Sequence, residues 1–435
     1  MFLQNKTRAY TDVNGPVGVG LIGAGKFGSM FLSQVPTSVD LRVDAIADLN
    51  PGSVPGRLSD LGWADDLCEA TYFTDDAEEL IARPDVKVVV EATGDPIVGV
   101  RHAKKAIENG KHVVMVNVEA DVLAGAALAR LAREAGVVYT MAYGDQPALT
   151  CEMVDWATSC GFEVIAAGKG TKYLPAYHQS TPDTVWEHYG LTANEAGAAG
   201  MNSKMFNSFL DGTKSAIEMT AIANATQLEV AESGLGFPPC GAEQLAEVLK
   251  PVAEGGQLEG SGLVEVVSSL NRDGSVVERD LRWGVYVVIK APNDYSADCF
   301  TQYGMNVDSS GRYSAMYKPF HLIGLELNVS ILSACVLGEA TGACHRFAAD
   351  VATVAKSSLA AGSELDGEGG YTAYGKAVPA TTSLELGCLP LGLSQGARLN
   401  RDIAAGEIIR YQDVTLDLNH EAGIMRKSME EQYKV

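Results

Sequence analysis

The run Val17-Gly18-Val19-Gly20-Leu21-Ile22, followed by Gly23-Ala24-Gly25-Lys26-Phe27-Gly28 and then by Ser29-Met30-Phe31-Leu32, constrains this chain more than any other stretch. An apolar run, a GxGxxG turn and a helical pattern, in that order, read as the opening of a β-α-β unit. Each glycine answers a separate demand. Gly23 permits the tight turn, Gly25 lets backbone approach a pyrophosphate, and Gly28 lets helix and strand pack closely, with the helix N-terminus facing the negative charge. The next strand-like run, residues 41–48, ends on Asp48, 20 residues after Gly28. An acid at that distance is placed to accept ribose hydroxyls.

From residue 17 to about 145, near-continuous apolar runs alternate with helical patterns and short Gly or Asp punctuation. Such strands imply a parallel sheet covered on both faces, a doubly wound Rossmann sheet. Ligands on such a sheet sit beyond the C-terminal strand ends. These ends supply the expected cofactor-binding set: Gly23, Ala24, Gly25, Lys26, Phe27, Gly28, Asp48, Ala92, Thr93, Gly94 and Asn117. The cofactor expected is NAD or NADP, since Asp48 favours NAD while Asn50 and Arg57 can offset its charge.

At 435 residues the chain exceeds one ordinary core, and three parts are expected. Residues 1–148 form the Rossmann domain, 149–348 an α+β catalytic and dimerisation domain, and 349–435 a small β domain; the whole is α/β. In the middle part, helices are expected over 150–159, 214–232 and 319–337, and strands over 162–167 and 276–289. In the last part, Lys356-Ser357-Ser358-Leu359-Ala360-Ala361-Gly362-Ser363-Glu364-Leu365 is echoed by Asn400-Arg401-Asp402-Ile403-Ala404-Ala405-Gly406-Glu407-Ile408-Ile409. The phrase suits a strand-turn-strand corner with glycine at the turn.

A formal net charge of −22 opposes binding to nucleic acid or an anionic membrane surface. No run approaches the roughly 20 apolar residues of a membrane span, and the first residues lack a signal-peptide core, so a cytoplasmic protein is expected. The eight cysteines form no CxxC pair, which favours reduced thiols. Long Ala/Leu helices make a homodimer the expected assembly.

An anionic small-molecule substrate would need a local basic site. Residues 165–215 hold four lysines, Lys169, Lys172, Lys204 and Lys214, against Asp183, Glu187, Glu195 and Asp211, a neutral island in an acidic chain. Lys169 sits between two glycines that allow close ligand approach. Asp211, Lys214 and Glu218 would share one helix face, and a desolvated lysine can act as general acid toward a carbonyl. Glu119, at a strand end, and His321, after Lys318-Pro319-Phe320, complete the expected catalytic set; His178 is a further loop histidine. Glu119 with Asp145 or Glu91 would admit a divalent cation.

The stretch Gly110-Lys111-His112-Val113-Val114-Met115-Val116-Asn117, with the GLIGAGxxG start, resembles the nucleotide domain of the homoserine dehydrogenase type. That family has Asn-Lys at this point, whereas here Val118-Glu119 follows Asn117, which steers the reading away from homoserine. The tail, from Asp350 to about Leu418, is similar to SAF domains. The combination resembles the bacterial 1-deoxy-D-xylulose-5-phosphate reductoisomerase-like enzymes. That resemblance implies rearrangement of a keto-sugar phosphate followed by reduction with a nicotinamide hydride. A homoserine-type or sugar-acid dehydrogenase or isomerase, and a non-enzymatic NAD(P) sensor, stand beside it.

Overall fold

The computed structural model describes residues 3–434, and these form two compact units. One comprises the described residues up to Leu149 with His321–His345 and His420–Met429; the other comprises Thr150–Phe320, Arg346–Asn419 and the residues from Glu430 onward. Within them the chain has the expected α/β class. Among the described residues no helix is long and apolar enough to cross a membrane.

The first unit is built on β1 (Val17–Ile22), β2 (Leu41–Ala47), β3 (Tyr72–Thr74), β4 (Val88–Glu91), β5 (His112–Met115) and β6 (Tyr139–Met141). They run parallel in the order β3-β2-β1-β4-β5-β6. Every residue of β1 and β4 is buried, which is why these strands read as unbroken apolar runs rather than alternating ones. The strand order reverses between β1 and β4, and there a doubly wound sheet opens its binding crevice.

The helices begin where the sequence offers a cap. Asp95 accepts the N–H groups of Ile97 and Val98, both at 2.9 Å, to start Pro96–Glu108. Asn117 accepts the N–H of Ala120 to start Val118–Ala135, which Gly136 ends at φ 69°. Residues 319–337 depart from the single helix expected of them. Gly324 has φ +77°, and a Cβ there would come 2.8 Å from Met30 Cβ, so the chain turns against helix Lys26–Leu32. Only Asn328–Leu332 is α-helical, followed by a π turn over Ser333–Leu337. Leu327 and Ile331 are nevertheless fully buried in the core under β1, each contributing about 1.5–3 kcal/mol of burial.

The second unit has a mixed sheet of β7 (Glu163–Thr171), β8 (Leu263–Ser268), β9 (Val285–Lys290), β10 (Asn306–Val307) and β11 (Tyr313–Lys318), ordered β10-β11-β9-β7-β8. Of these strands β7 and β8 pair in parallel, and the other pairs are antiparallel. Two antiparallel pairs follow, β12 (Ala349–Ala355) with β13 (Ala373–Pro379), and β14 (Arg398–Leu399) with β15 (Val414–Thr415). The helix Thr213–Ala225 packs against β8 on one side and β12 and β13 on the other, so it is buried nearly all round.

That helix stops at Ala225 and not at Glu232. The N–H and Oγ1 of Thr226 both bond the Ile222 carbonyl, at 2.9 and 2.8 Å, and Arg346 Nε takes the Thr226 carbonyl at 3.0 Å. The expected strand over 276–289 shrinks to β9, because Arg279 takes φ +52° and Gly284 closes a turn onto Leu281. In the tail the two echoed segments pair with each other. Leu359 and Ile403 exchange both backbone hydrogen bonds at 2.9 Å, and Gly362 and Gly406 turn at φ 85° and 78°.

Candidate functional site

In the first unit the glycine loop leaves β1 with each glycine differently constrained. Gly23 has φ +95°, and a Cβ on it would come 2.7 Å from the Ala92 carbonyl; a Cβ on Gly28 would come 2.5 Å from the Gly23 carbonyl. Protein packing accounts for both. A Cβ on Gly25, by contrast, would meet nothing within 4 Å. Gly25 is exposed, is the N-cap of helix Lys26–Leu32 and has no side chain to cap it. Open space over uncapped N–H groups is what a pyrophosphate needs, and the loop fits a dinucleotide. Lys26 is exposed beside it, and Phe27 is half-buried against the core.

Asp48 bolts the end of β2 to this loop. Its Oδ2 accepts the N–H of Ala24 and its Oδ1 that of Asn50, both at 3.0 Å. Arg57 donates from Nη1 to the Ala24 carbonyl at 2.6 Å and brings Nη2 within 3.6 Å of Asp48 Oδ2. The ribose end of the loop therefore shows both an acceptor for hydroxyls and a cation for a 2′-phosphate.

The next two strand ends are tied together. Thr93 Oγ1 donates to Glu91 Oε1 at 2.6 Å, and Asn117 Nδ2 donates to the Asp95 carbonyl at 2.8 Å. Among the described residues no three His, Cys, Asp or Glu side chains are grouped as a metal ion needs. The cation site expected from Glu119 with Asp145 or Glu91 gains no third ligand of these types from that grouping. The buried Glu91 already serves Thr93 and lies 3.3 Å from His102 Nδ1.

In the second unit the chemistry-bearing residues are buried in pairs. Lys169, on β7, forms an ion pair with Glu218 of helix Thr213–Ala225. Lys356, just after β12, lies 2.7 Å from Asp211 Oδ2 and also donates to the carbonyls of Ser180 and Gly370 at 2.7 and 2.8 Å. All four side chains are nearly inaccessible. Burial pushes the Asp211 carboxyl up from its ordinary value, and the Lys356 ammonium pulls it back. Asp211 is not on the helix face expected of it. It precedes the helix, and its Oδ1 accepts the Thr213 N–H at 2.9 Å.

His178 sits over this turn. Its Nδ1 lies 2.7 Å from the Asp211 carbonyl oxygen, which can only accept, so Nδ1 bears the proton and Nε2 accepts the Tyr173 hydroxyl at 2.9 Å. Burial lowers its pKa, with repulsion from Lys356 and Lys376 adding to the effect. The imidazole is neutral with both nitrogens engaged. Nearby, burial pushes the Tyr173 hydroxyl up to about 12 and the Glu265 carboxyl up to about 7.

Within the second unit the expected catalytic residues do not gather into one cluster. Lys169 and Asp211 are buried in separate pairs. Lys172 donates to the His188 carbonyl, with burial lowering its pKa, and Lys204 is exposed, 3.1 Å from the Asp366 carbonyl. Lys214 lies half-buried in the first turn of its helix, while Glu119 and His321 belong to the first unit. Sequence reasoning missed Lys356 as the partner of Asp211, and Tyr374 and Lys376 on β13. The AAG echo that begins at Lys356 was the available signal.

Residues 18–141 match the family described as homoserine dehydrogenase, NAD binding domain, and residues 144–327 match that described as oxidoreductase DRL, catalytic domain. Over 111 residues the chain is 32% identical to a homoserine dehydrogenase of Neisseria gonorrhoeae, covering 23% of each protein. Over 106 residues it is 39% identical to a homoserine dehydrogenase of Mycobacterium tuberculosis, again covering 23% of each. The chain thus spans under a quarter of the length of these curated relatives. Solved structures similar to it include an oxidoreductase domain protein from Kribbella flavida, at 20% identity and a TM-score of 0.30, covering 44% of this chain and 52% of that one. Another is a myo-inositol dehydrogenase from Lactobacillus casei in complex with NAD(H) and myo-inositol, at 15% identity and a TM-score of 0.29, covering 39% and 50%. Along the chain, a segment similar to an NAD-binding domain is thus followed by one similar to an oxidoreductase catalytic domain.

Proposed function

We propose that this NAD(P)-dependent oxidoreductase acts on a hydroxyl or carbonyl carbon of a small polyhydroxylated anion, and in its sharpest form is a reductoisomerase. It would convert 1-deoxy-D-xylulose 5-phosphate to 2-C-methyl-D-erythritol 4-phosphate. The observation that carries the reading is the uncapped, open Gly25 loop in a chain whose second unit buries two lysine–carboxylate pairs. When bound, the nicotinamide supplies or accepts the hydride. The N–H groups of the Gly23–Gly28 loop hold the pyrophosphate, and Asp48 and Arg57 address the ribose. A carbonyl oxygen that gains a hydride on its carbon must also gain a proton. Lys169 Nζ can give one, with Glu218 accepting and returning protons at that nitrogen. The resemblance of the dinucleotide segment and the tail to the reductoisomerase-like enzymes supports the finer assignment, and the departure at Val118-Glu119 speaks against homoserine.

The test is turnover by purified full-length chain with NADPH or NADH and 1-deoxy-D-xylulose 5-phosphate, following loss of reduced-nicotinamide absorbance and identifying the product. Formation of the branched product establishes the reductoisomerase. Turnover of a sugar acid or homoserine with no change of carbon skeleton replaces it with a plain dehydrogenase. Cofactor binding without turnover of any of these, unaltered by Lys169→Met, sinks the enzymatic reading.

A further inference from the structure

The second unit contains a cleft of about 210 Å³ lined by His178, Gly212, Ser233, Phe237, Tyr374 and Lys376, among others. Neither lysine–carboxylate pair lines it. Its lining includes no Asp or Glu, and the neutral His178 has both ring nitrogens engaged. Among the described residues Lys376 is therefore the one formal charge lining the space, in a chain whose net charge is −22. Among the described residues the Lys376 side chain has no ion-pair or hydrogen-bond partner.

The backbone explains how the lysine is presented. Tyr374 and Lys376 are two apart on β13 and so face the same way, while Gly375 between them donates its N–H to Thr213 Oγ1 at 2.8 Å. The Lys376 stem lies against Gly234, where φ is +89° and a Cβ would come 2.9 Å from Lys376 Cε. Opposite, Phe237 is held at φ +50°, a conformation side chains rarely adopt, by Glu265, which accepts the N–H groups of Gly236 and Phe237 at 2.9 and 3.2 Å. Such strain is retained where a site needs it. Phe237 stacks on Tyr173 at 3.9 Å between ring centroids and Tyr374 on His178 at 4.4 Å, giving the cleft flat walls for a carbon skeleton.

We propose that this cleft binds the anionic group of a small hydroxylated molecule, a phosphate or a carboxylate, with Lys376 as its cation and the hydroxyls of Tyr374 and Ser233 beside it. The molecule's role as substrate rests on the proposed oxidoreductase reading; the binding itself does not. The full-length chain is titrated calorimetrically with inorganic phosphate and separately with acetate, each against chloride at equal ionic strength. Saturable binding is expected. Lys376→Met should weaken it at least about tenfold, the weight of one charge-assisted contact, and Lys376→Arg should restore most of it. Preference for phosphate over acetate identifies a phosphate site, and the reverse a carboxylate site. Melting without anion checks that each variant folds, and Lys376→Gln replaces the Met variant if that one melts early. No saturable binding of either anion, or equal binding by the charge-removed variant, overturns the site. Anion binding that depends on Lys376 in a protein that turns over no substrate leaves the site standing and removes the proposed reaction. Turnover whose KM ignores Lys376 keeps the reaction and removes the cleft as the place where its substrate binds.

Discussion

Gly25 and Gly28 belong to one loop yet answer to different partners. A methyl on Gly28 would press on the Gly23 carbonyl at 2.5 Å, and a backbone atom cannot swing away; Gly28→Ala should cost about 1–3 kcal/mol of stability. A methyl on Gly25 meets no protein atom within 4 Å, and its φ of −71° suits alanine. Gly25→Ala should therefore change stability by under about 0.5 kcal/mol while weakening NADPH binding at least about tenfold, because the methyl occupies the place of the pyrophosphate. Melting curves with fluorescence titration of NADPH separate the two, and unimpaired binding by Gly25→Ala would refute the loop's assignment. The residues of the second unit were legible by type but not by partner. Lys169 and Asp211 stand out for their glycine flanks and spacing, whereas their ion pairs run to Glu218 on a separate helix and to Lys356 beyond β12. Local spacing holds no information about such long-range pairing.

Elements followed the sequence where the hydrogen-bond pattern is local and departed from it where distant segments intervene. The six parallel strands and the helices between them could be read from apolar runs and the Gly and Asp punctuation that separates them. The helix starting at Thr213 was overextended because Thr226 and Arg346 end it through contacts that no window of sequence displays. The duplicated tail shows the opposite case, a short echo that becomes a structural pair. Ala355 N–H bonds the Glu407 carbonyl and Leu399 N–H the Ser363 carbonyl; Leu365 N–H bonds Ala397 and Ile409 N–H bonds Thr353. Each bond maps onto the other when the two segments are exchanged, so the pair has local two-fold symmetry. Neither Gly362 nor Gly406 would place a Cβ within 4 Å of anything, leaving only the conformational penalty of a left-handed turn. Gly362→Ala and Gly406→Ala should each destabilise by about 1–2 kcal/mol, and by similar amounts. Denaturant unfolding of both variants measures this, and a large difference between them would mean that the two turns are not equivalent.

At the scale of the whole chain, charge sets a problem that the local sites must solve. A net charge of −22 surrounds an enzyme proposed to bring together an anionic dinucleotide and an anionic substrate. The averaged field repels both, while Lys376 and Arg57 attract only at close range, within a Debye length of about 10 Å at 0.1 M salt. The slow part of the encounter is then the approach through the repulsive field, and added sodium chloride should speed it. Between about 10 mM and 150 mM salt, kcat/KM for the anionic substrate should rise severalfold, the reverse of the fall seen when opposite charges steer association. Lys376→Met removes the short-range attraction and leaves the repulsion, so its salt dependence should be steeper than that of the parent protein. A kcat/KM that falls with salt would show that a cationic face, and not the net charge, governs approach.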